Sequence, residues 1–204
     1  MTDIPTPCKE EVEKYLKKWD SNETIMYHDR CLKLLFEEIF PENKEMEHII
    51  IKVNTLNDFY SAGVLDKEII PLSKHIYELN IDEKLKSEDL TVVDDILKAK
   101  DVRRVYSFAT KYCSHHNPEV YPIYDSYVKK VLMNLKKQDK FAEFTENGLK
   151  DYETFNEVLD EFKVYYGLEY SKKELDQYLW LLGIHTFKKS SIFTSSSKSN
   201  TNHQ

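Results

Sequence analysis

Apolar residues recur along this chain at the three- and four-residue spacing of helix faces. Val12, Tyr15, Leu16 and Trp19 stand at i, i+3, i+4 and i+7, the stripe of an amphipathic helix that begins near Lys9. Trp19 is large and lies on the stripe, so it reads as core. Ser21-Asn22 offers a cap for a second helix, with Met26, Leu34, Leu35, Ile39 and Phe40 inward and Pro41 at its end. The run HIIIKV from His48 to Val53 suits a buried strand or the start of a buried helix. The NTLNDFYSAGVL that follows favours the helix, with Asn54, Thr55 and Asn57 at a turn or helix border. Asp66 to Leu79 continues helically, and Pro71 is tolerated if that helix begins near Ile70. Ile81 to Lys100 gives a short connection and then LTVVDDILKAK, capped by Ser87 or Asp89.

From Val102 the pattern predicts a helix broken at Asn117-Pro118, a hydrophobic approach YPIY, and Asp125 opening a further helix. That helix should run on from Lys130 to Phe144 and stop at Asn147-Gly148. Tyr152 to Tyr166 is amphipathic through Phe155, Val158, Leu159, Phe162 and Tyr165, and Gly167 closes it. The last helix opens on Ser171 with Glu174 three residues on, a capping box. Its stripe is Leu175, Tyr178, Leu179 and Leu182, ending at Gly183. Residues 1–8 have no period and read as a flexible lead-in. Residues 188–204 are Ser-, Lys-, Asn- and Thr-rich, with too little apolar surface to fold. The pattern therefore predicts an all-α protein with one helical domain over 9–187 and two flexible ends.

Composition agrees and narrows the chemistry. Four Gly, six Pro and a charged share of 32% suit helices. No G-x-G-x-x-G or G-x-x-x-x-G-K-[ST] occurs, which argues against dinucleotide and P-loop sites. The formal charge of -7 argues against coating nucleic acid by bulk electrostatics, although basic residues cluster locally at Arg103-Arg104, Lys111, Lys129-Lys130 and Lys136-Lys137. Cys8, Cys31 and Cys113 are odd in number and lack C-x-x-C spacing, which suits free thiols in a reducing cytoplasm. No apolar run approaches the roughly 18 residues of a membrane span, so no membrane association is expected. His115 and His116 lack the H-x-E or C-x-x-C company of a metal site. Neither a metal nor a cofactor is implied.

Asp125 is the residue of most interest. At a helix start its carboxylate either caps an orphan N–H or faces a cleft and acts on a substrate. The phrase around it is Tyr121-Pro122-Ile123-Tyr124-Asp125-Ser126-Tyr127-Val128-Lys129-Lys130-Val131-Leu132. It resembles the [FY]-P-I-x-D-x-x-V-K-[RK]-V-L segment of the helix-hairpin-helix base-excision DNA glycosylases, closest to the adenine-glycosylase type. The wider S-x-A-x-K…H…P…[FY]-P-I-[YW]-D-S pattern also resembles a bacterial family with the 8-oxoguanine-glycosylase fold, and LDQYLWLLG looks like the end of that domain. The resemblance is dense over residues 85–135. It implies a bilobal helix-hairpin-helix fold with a cleft between helical lobes, and Asp125 as the catalytic carboxylate.

The same resemblance leaves the nucleophile open. Counting without a gap places Ser107 where lyase-competent members carry a lysine, which implies hydrolysis by water alone. With a helix one turn shorter, Thr110-Lys111 takes that place and Lys111 becomes the nucleophile. Tyr106, Phe108, Tyr112, His115 and Tyr124 are near enough to wall a flipped base. Asn54 and Asn57 lie where the family carries its strand-separating wedge. The family's L-P-G-[VI]-G hairpin is replaced by Leu97-Lys98-Ala99-Lys100-Asp101-Val102-Arg103-Arg104. Contact with phosphate would then fall to the side chains of Lys98, Lys100, Arg103 and Arg104, with Lys129 beyond. The expected function is a DNA glycosylase that excises a damaged or modified base from double-stranded DNA, in repair or in defence against phage DNA. It would be cytoplasmic and act as a monomer. The alternative is a catalytically degenerate module of the same fold that binds nucleic acid or protein.

Overall fold

Side-chain caps set where several helices begin. Asn22, Asp125, Asp151 and Ser171 each accept a hydrogen bond from a backbone N–H of the turn they precede, satisfying a donor that has no partner within the helix. The computed structural model describes residues 4–188. Its helices are α1 Lys9–Ser21, α2 Glu23–Lys33, α3 Met46–Tyr60, α4 Asp66–Leu79, α5 Asp82–Lys86, α6 Thr91–Ile96, α7 Tyr106–His116, α8 Ser126–Asp139, α9 Tyr152–Tyr166 and α10 Lys172–Phe187. Among the described residues there is no strand, so the protein is all-α. None of these helices is long and apolar enough to cross a membrane.

Tertiary packing moved several predicted features. α2 runs into a π-turn at Leu34–Ile39, whose wider spacing rotates the apolar face. Leu32, Leu35 and Phe36 are buried as a result, whereas Leu34 and Ile39, expected inward, are 45% and 52% exposed. Asn54, Thr55 and Asn57 lie inside α3, not at its border. α4 begins at Asp66, five residues before Pro71. The Glu68 carboxylate holds its start by accepting from the Leu65 N–H at 2.9 Å. α7 begins at Tyr106 rather than Val102. α8 stops at Asp139, where Lys140 turns left-handed at φ 54, and the Lys136 amine donates to the Phe144 carbonyl at 2.5 Å. Asn147-Gly148 therefore opens a short 3-10 turn, Gly148–Lys150, instead of ending a helix. α10 passes straight through Gly183. The lead-in is not loose from Ile4 onward: Ile4 is 2% exposed, and its carbonyl accepts from the Gln138 side chain at 3.1 Å. The predicted flexible tail lies almost wholly outside the described residues, as do residues 1–3.

α10 is the hub of the chain ends, packing on both α8 and α1, and α1 in turn meets α2. α3 and α4 pack as a hairpin, α7 lies on α3 and α6, and α6 touches α9. A single apolar core runs through all of them. It includes fully buried Phe108, Tyr112, Phe155 and Phe162, each contributing roughly 1.5–3 kcal/mol. A buried polar knot fixes the turn after the π-segment. The Lys52 amine donates to the carbonyls of Phe40 and Glu42 and to Asn43 Oδ1. Asn43 in turn donates its N–H and Nδ2 to Asp82. Burial pushes Lys52 down to about 8.

Candidate functional site at the junction of α7 and α8

Every residue of the YPIY approach is tied down. The Tyr121 hydroxyl donates to the Lys84 and Asp89 carbonyls, and the Pro122 carbonyl accepts from Tyr152 at 2.9 Å. The Ile123 N–H donates to Asp176 Oδ2 at 2.7 Å. The Tyr124 N–H donates to Thr110 Oγ1 at 3.1 Å. Buried backbone groups must find partners, and here they find them on α7, α9 and α10, while the Tyr121 hydroxyl reaches α5 and the turn before α6. Asp125 is thereby delivered to the start of α8, where Oδ1 accepts from the Tyr127 N–H at 2.7 Å. Its second oxygen, Oδ2, lies 3.7 Å from the Lys111 amine.

Lys111 projects from a helix that is buried almost all round: Phe108, Ala109, Tyr112 and Cys113 are fully enclosed. The lysine itself is 3% exposed. Its amine donates to Ser107 Oγ, one turn back, at 2.5 Å, and sits 5.1 Å from the Tyr60 ring centroid. Burial pushes the amine below the usual lysine range, and the charge of Asp125 offsets this only in part. The two alternatives from the sequence, Ser107 and Lys111, thus meet at one place, with the amine lying between the hydroxyl and the carboxylate.

Lys111 is also a wall of a cavity of about 130 Å³ between α1, α2, α3, α7 and α10. An apolar cavity of about 150 Å³ holds benzene, so this space suits a single flat ring system. Trp19, His28, Phe59, Tyr60 and Trp180 form its aromatic walls, and Lys33, Asp29, Lys173 and Asp176 bring ionisable groups to it. Trp19 and Trp180 meet edge to face at 5.8 Å, and His28 stacks on Phe59 at 4.2 Å. Asp29 on α2 and Lys173 on α10 pair at 3.5 Å. Tyr60 Oη lies 3.0 Å from His115 Nε2, and burial holds His115 down at about 3.

The residues expected to wall a base stand mostly away from this cavity. Of the five candidates, His115 lines the cavity. Tyr106, Phe108, Tyr112 and Tyr124 are core instead: Tyr106 packs on Tyr124 and Tyr152, and the Tyr112 hydroxyl donates to Asn43 Oδ1 at 2.6 Å. Proximity in sequence to Asp125 misled here, because α7 turns those faces inward. Trp19, expected in the core, packs against the core's edge and also presents a face to the cavity. The missed residues, Phe59, Tyr60, Asp176 and Trp180, come from helices far away in the chain and carry no local signal.

The predicted DNA contacts are mostly engaged within the protein. Arg103 holds buried Glu68 at 3.2 Å and also bonds the Gly63 carbonyl. Leu65 and Arg103 together pull the Glu68 carboxyl down to about 2. Arg104 donates to the Lys150 carbonyl at 3.2 Å. Lys98 pairs with Asp95 at 2.7 Å and Lys129 with Glu146 at 2.6 Å. Lys100 is exposed. Asn57 clasps the N–H and carbonyl of Val64 at 2.9 Å, and Asn54 donates back to Ile50.

Residues 11–120 match the model of the HI_0787_N N-terminal domain family. That is more than half of the chain, and the chain belongs to this family. An uncharacterized protein of Haemophilus influenzae (strain ATCC 51907 / DSM 11121 / KW20 / Rd) is 43% identical to it over 150 residues, 71% of each chain. No solved structure matches. The family segment contains Lys111 and ends five residues before Asp125, so the candidate pair straddles its boundary.

Proposed function

We propose that this protein is a DNA N-glycosylase in which Lys111 attacks the sugar and Asp125 serves the proton transfers. The observation that carries this reading is the buried Lys111 amine, 3.7 Å from a helix-capping carboxylate, on the wall of an aromatic-lined cavity. A lysine becomes a nucleophile when desolvation leaves its amine uncharged. The lone pair of that amine forms a bond to C1′ as the bond from C1′ to the base breaks. The bonding pair leaves with the base. The new ammonium gives one proton to Asp125, which hands it to the departing base, and its second N–H proton goes by the same carboxylate to the ring oxygen as the sugar opens to an imine. Positive charge builds on the sugar in such a reaction, and the role assigned to the Asp125 carboxylate is to stabilise that charge. The base itself, once out of the stack, occupies the aromatic cavity. The helical groups α1–α2–α8–α10 and α3–α7 serve in this reading as the two lobes, with double-stranded DNA across their junction.

Borohydride reduces such an imine to a stable covalent adduct. With duplexes each carrying one oxidised, mispaired, alkylated or bulky modified base, the expected result is a trapped complex that Lys111→Ala abolishes. Base release without trapping, unaffected in Lys111→Ala but lost in Asp125→Asn, would transfer the attack to water. A second reading, a module of the same fold that binds without chemistry, draws on the engagement of Arg103 with Glu68, which removes a cation from the DNA face. No release from any duplex would favour it.

A further inference from the structure

Ser107 takes no step in that chemistry, yet it holds the group that does. It stands half-buried in the first turn of α7, and its Oγ accepts a hydrogen bond from the Lys111 amine at 2.5 Å. Residues four apart share a helix face, so α7 alone sets this contact. A lysine side chain ordinarily samples many rotamers, and fixing one costs entropy. On its other sides the amine meets Asp125 Oδ2 at 3.7 Å and the Tyr60 ring, whose centroid is 5.1 Å away. Lys111 and Tyr60 both line the cavity, and Ser107 is not part of that wall.

An uncharged amine has two N–H bonds and one lone pair, and only the lone pair attacks. With one N–H donated to Ser107 and the second drawn toward Asp125, the lone pair is left for whatever occupies the cavity. The opposite arrangement, in which the Ser107 hydroxyl donates into the lone pair, would mask it. We propose that Ser107 is a positioning residue, which accepts from the Lys111 amine so that its lone pair is presented to an electrophilic carbon in the cavity. That this carbon belongs to a sugar rests on the glycosylase reading above; the hydrogen bond and the place of the amine do not. The same bond leaves a mark on titration. A charged donor bonds more strongly than a neutral one, so Ser107 favours the ammonium, and its removal lowers the Lys111 pKa beyond the effect of burial. The other titratable groups about the amine are Asp125, Tyr60 on α3, Asp176 and Lys173 on α10, Asp29 on α2 and His115 on α7. They are the same in every Ser107 variant.

Two aldehydes read both effects on the full chain without DNA. The Lys111 amine adds to the aldehyde carbon, water leaves, and cyanoborohydride reduces the imine to a stable amine that mass mapping of the Lys111 peptide detects. Formaldehyde is small enough to approach from any side, so its rate against pH follows the titration. Benzaldehyde must enter with its ring between the aromatic walls, so its rate follows the aim of the lone pair. In Ser107→Ala the formaldehyde midpoint is expected about one pH unit lower. The benzaldehyde rate at its high-pH plateau should fall about 10-fold, the loss of one orienting hydrogen bond. Ser107→Thr keeps the hydroxyl and should match the parent in both. Thermal melting establishes that each variant folds. A midpoint that stays or rises in Ser107→Ala, a benzaldehyde rate that is unchanged or raised there, no rescue by Ser107→Thr, or no labelling of Lys111 in the parent each overturns the inference. Benzaldehyde labelling that depends on Ser107, with no abasic product on any duplex, upholds the inference and ends the glycosylase reading. Trapping on a duplex at the parent rate in Ser107→Ala, with both aldehyde readouts unmoved, does the reverse.

Discussion

A lysine with 3% of its surface exposed, as Lys111 has, is held in the fold against a desolvation cost that its partial pairing with Asp125 does not remove. Replacing both members of a buried pair by uncharged groups is often neutral or stabilising, whereas removing one leaves the other uncompensated. Lys111→Met should therefore melt below the parent, because Asp125 loses its partner, and adding Asp125→Asn should recover most of that loss, with the borohydride-trapped adduct absent from both; a double variant that melts no higher than Lys111→Met would make the lysine a structural residue. Asp125 permits a complementary separation. Asparagine caps helices as well as aspartate does, so Asp125→Asn should keep the bond to Tyr127 and the stability, yet lose base release at least 100-fold. The pH dependence has a definite sign. Attack needs the uncharged amine, so trapping should rise with pH and level off above the lowered lysine pKa. A trapping rate that falls over the same range would exclude Lys111 as nucleophile.

At the scale of elements, the crossing of α10 over α8 decides where Asp125 stands. A Cβ on Gly183 would lie 2.7 Å from Tyr127 Cβ and 2.9 Å from the Tyr127 carbonyl oxygen. Tyr127 is in the first turn of α8, two residues after Asp125, and part of the obstruction is backbone that cannot rotate away. Gly183→Ala should therefore lower the free energy of unfolding by about 1–3 kcal/mol, against the roughly 1 kcal/mol that alanine ordinarily adds inside a helix. It should also reduce trapping more than that loss of stability explains, because the helix start that carries Asp125 shifts. A urea midpoint equal to or above the parent's would show that the two helices separate at little cost. The π-turn at Leu34–Ile39 works at the same scale: it re-aims the end of α2 so that Phe36 meets Tyr112, His115 and His116.

For the whole molecule, the cavity exists only because α1 and α2 fold back onto α10. It is walled by residues from both ends of the described chain, and the ion pair of Asp29 with Lys173 ties those ends together. Two half-buried histidines stand here, His115 on the cavity wall and His116 next to it in the chain. Burial holds His115 at about 3, from an ordinary 6.5, and His116 well below that ordinary value. Both are neutral in the fold and take up protons only on unfolding. Stability is therefore full above about pH 6.5 and falls as pH drops below it, by up to about 1.4 kcal/mol per unit for each histidine. Urea midpoints near pH 7.5 and near pH 5 measure this, and equal values would show that water reaches the two rings in the folded protein.

The helices were legible in the order of residues, because a 3.6-residue apolar period, the caps at Asn22 and Asp125 and the capping box at Ser171 are local properties of the chain. So was Asp125 as the opening of α8, and so were Ser107 and Lys111, which share a helix face by their spacing alone. Their closeness to Asp125 was not legible, since it depends on the YPIY segment being pinned to four other helices. The π-turn, the end of α8 at Asp139 and the passage of α10 through Gly183 also escaped the pattern, because contacts with distant elements overrode local preference there. Only the tertiary structure could move Tyr106, Phe108, Tyr112 and Tyr124 into the core and bring Trp19, Phe59, Tyr60, Asp176 and Trp180 around one space. Which aromatic residues enclose a cavity depends on how helix faces meet, and no single helix specifies that.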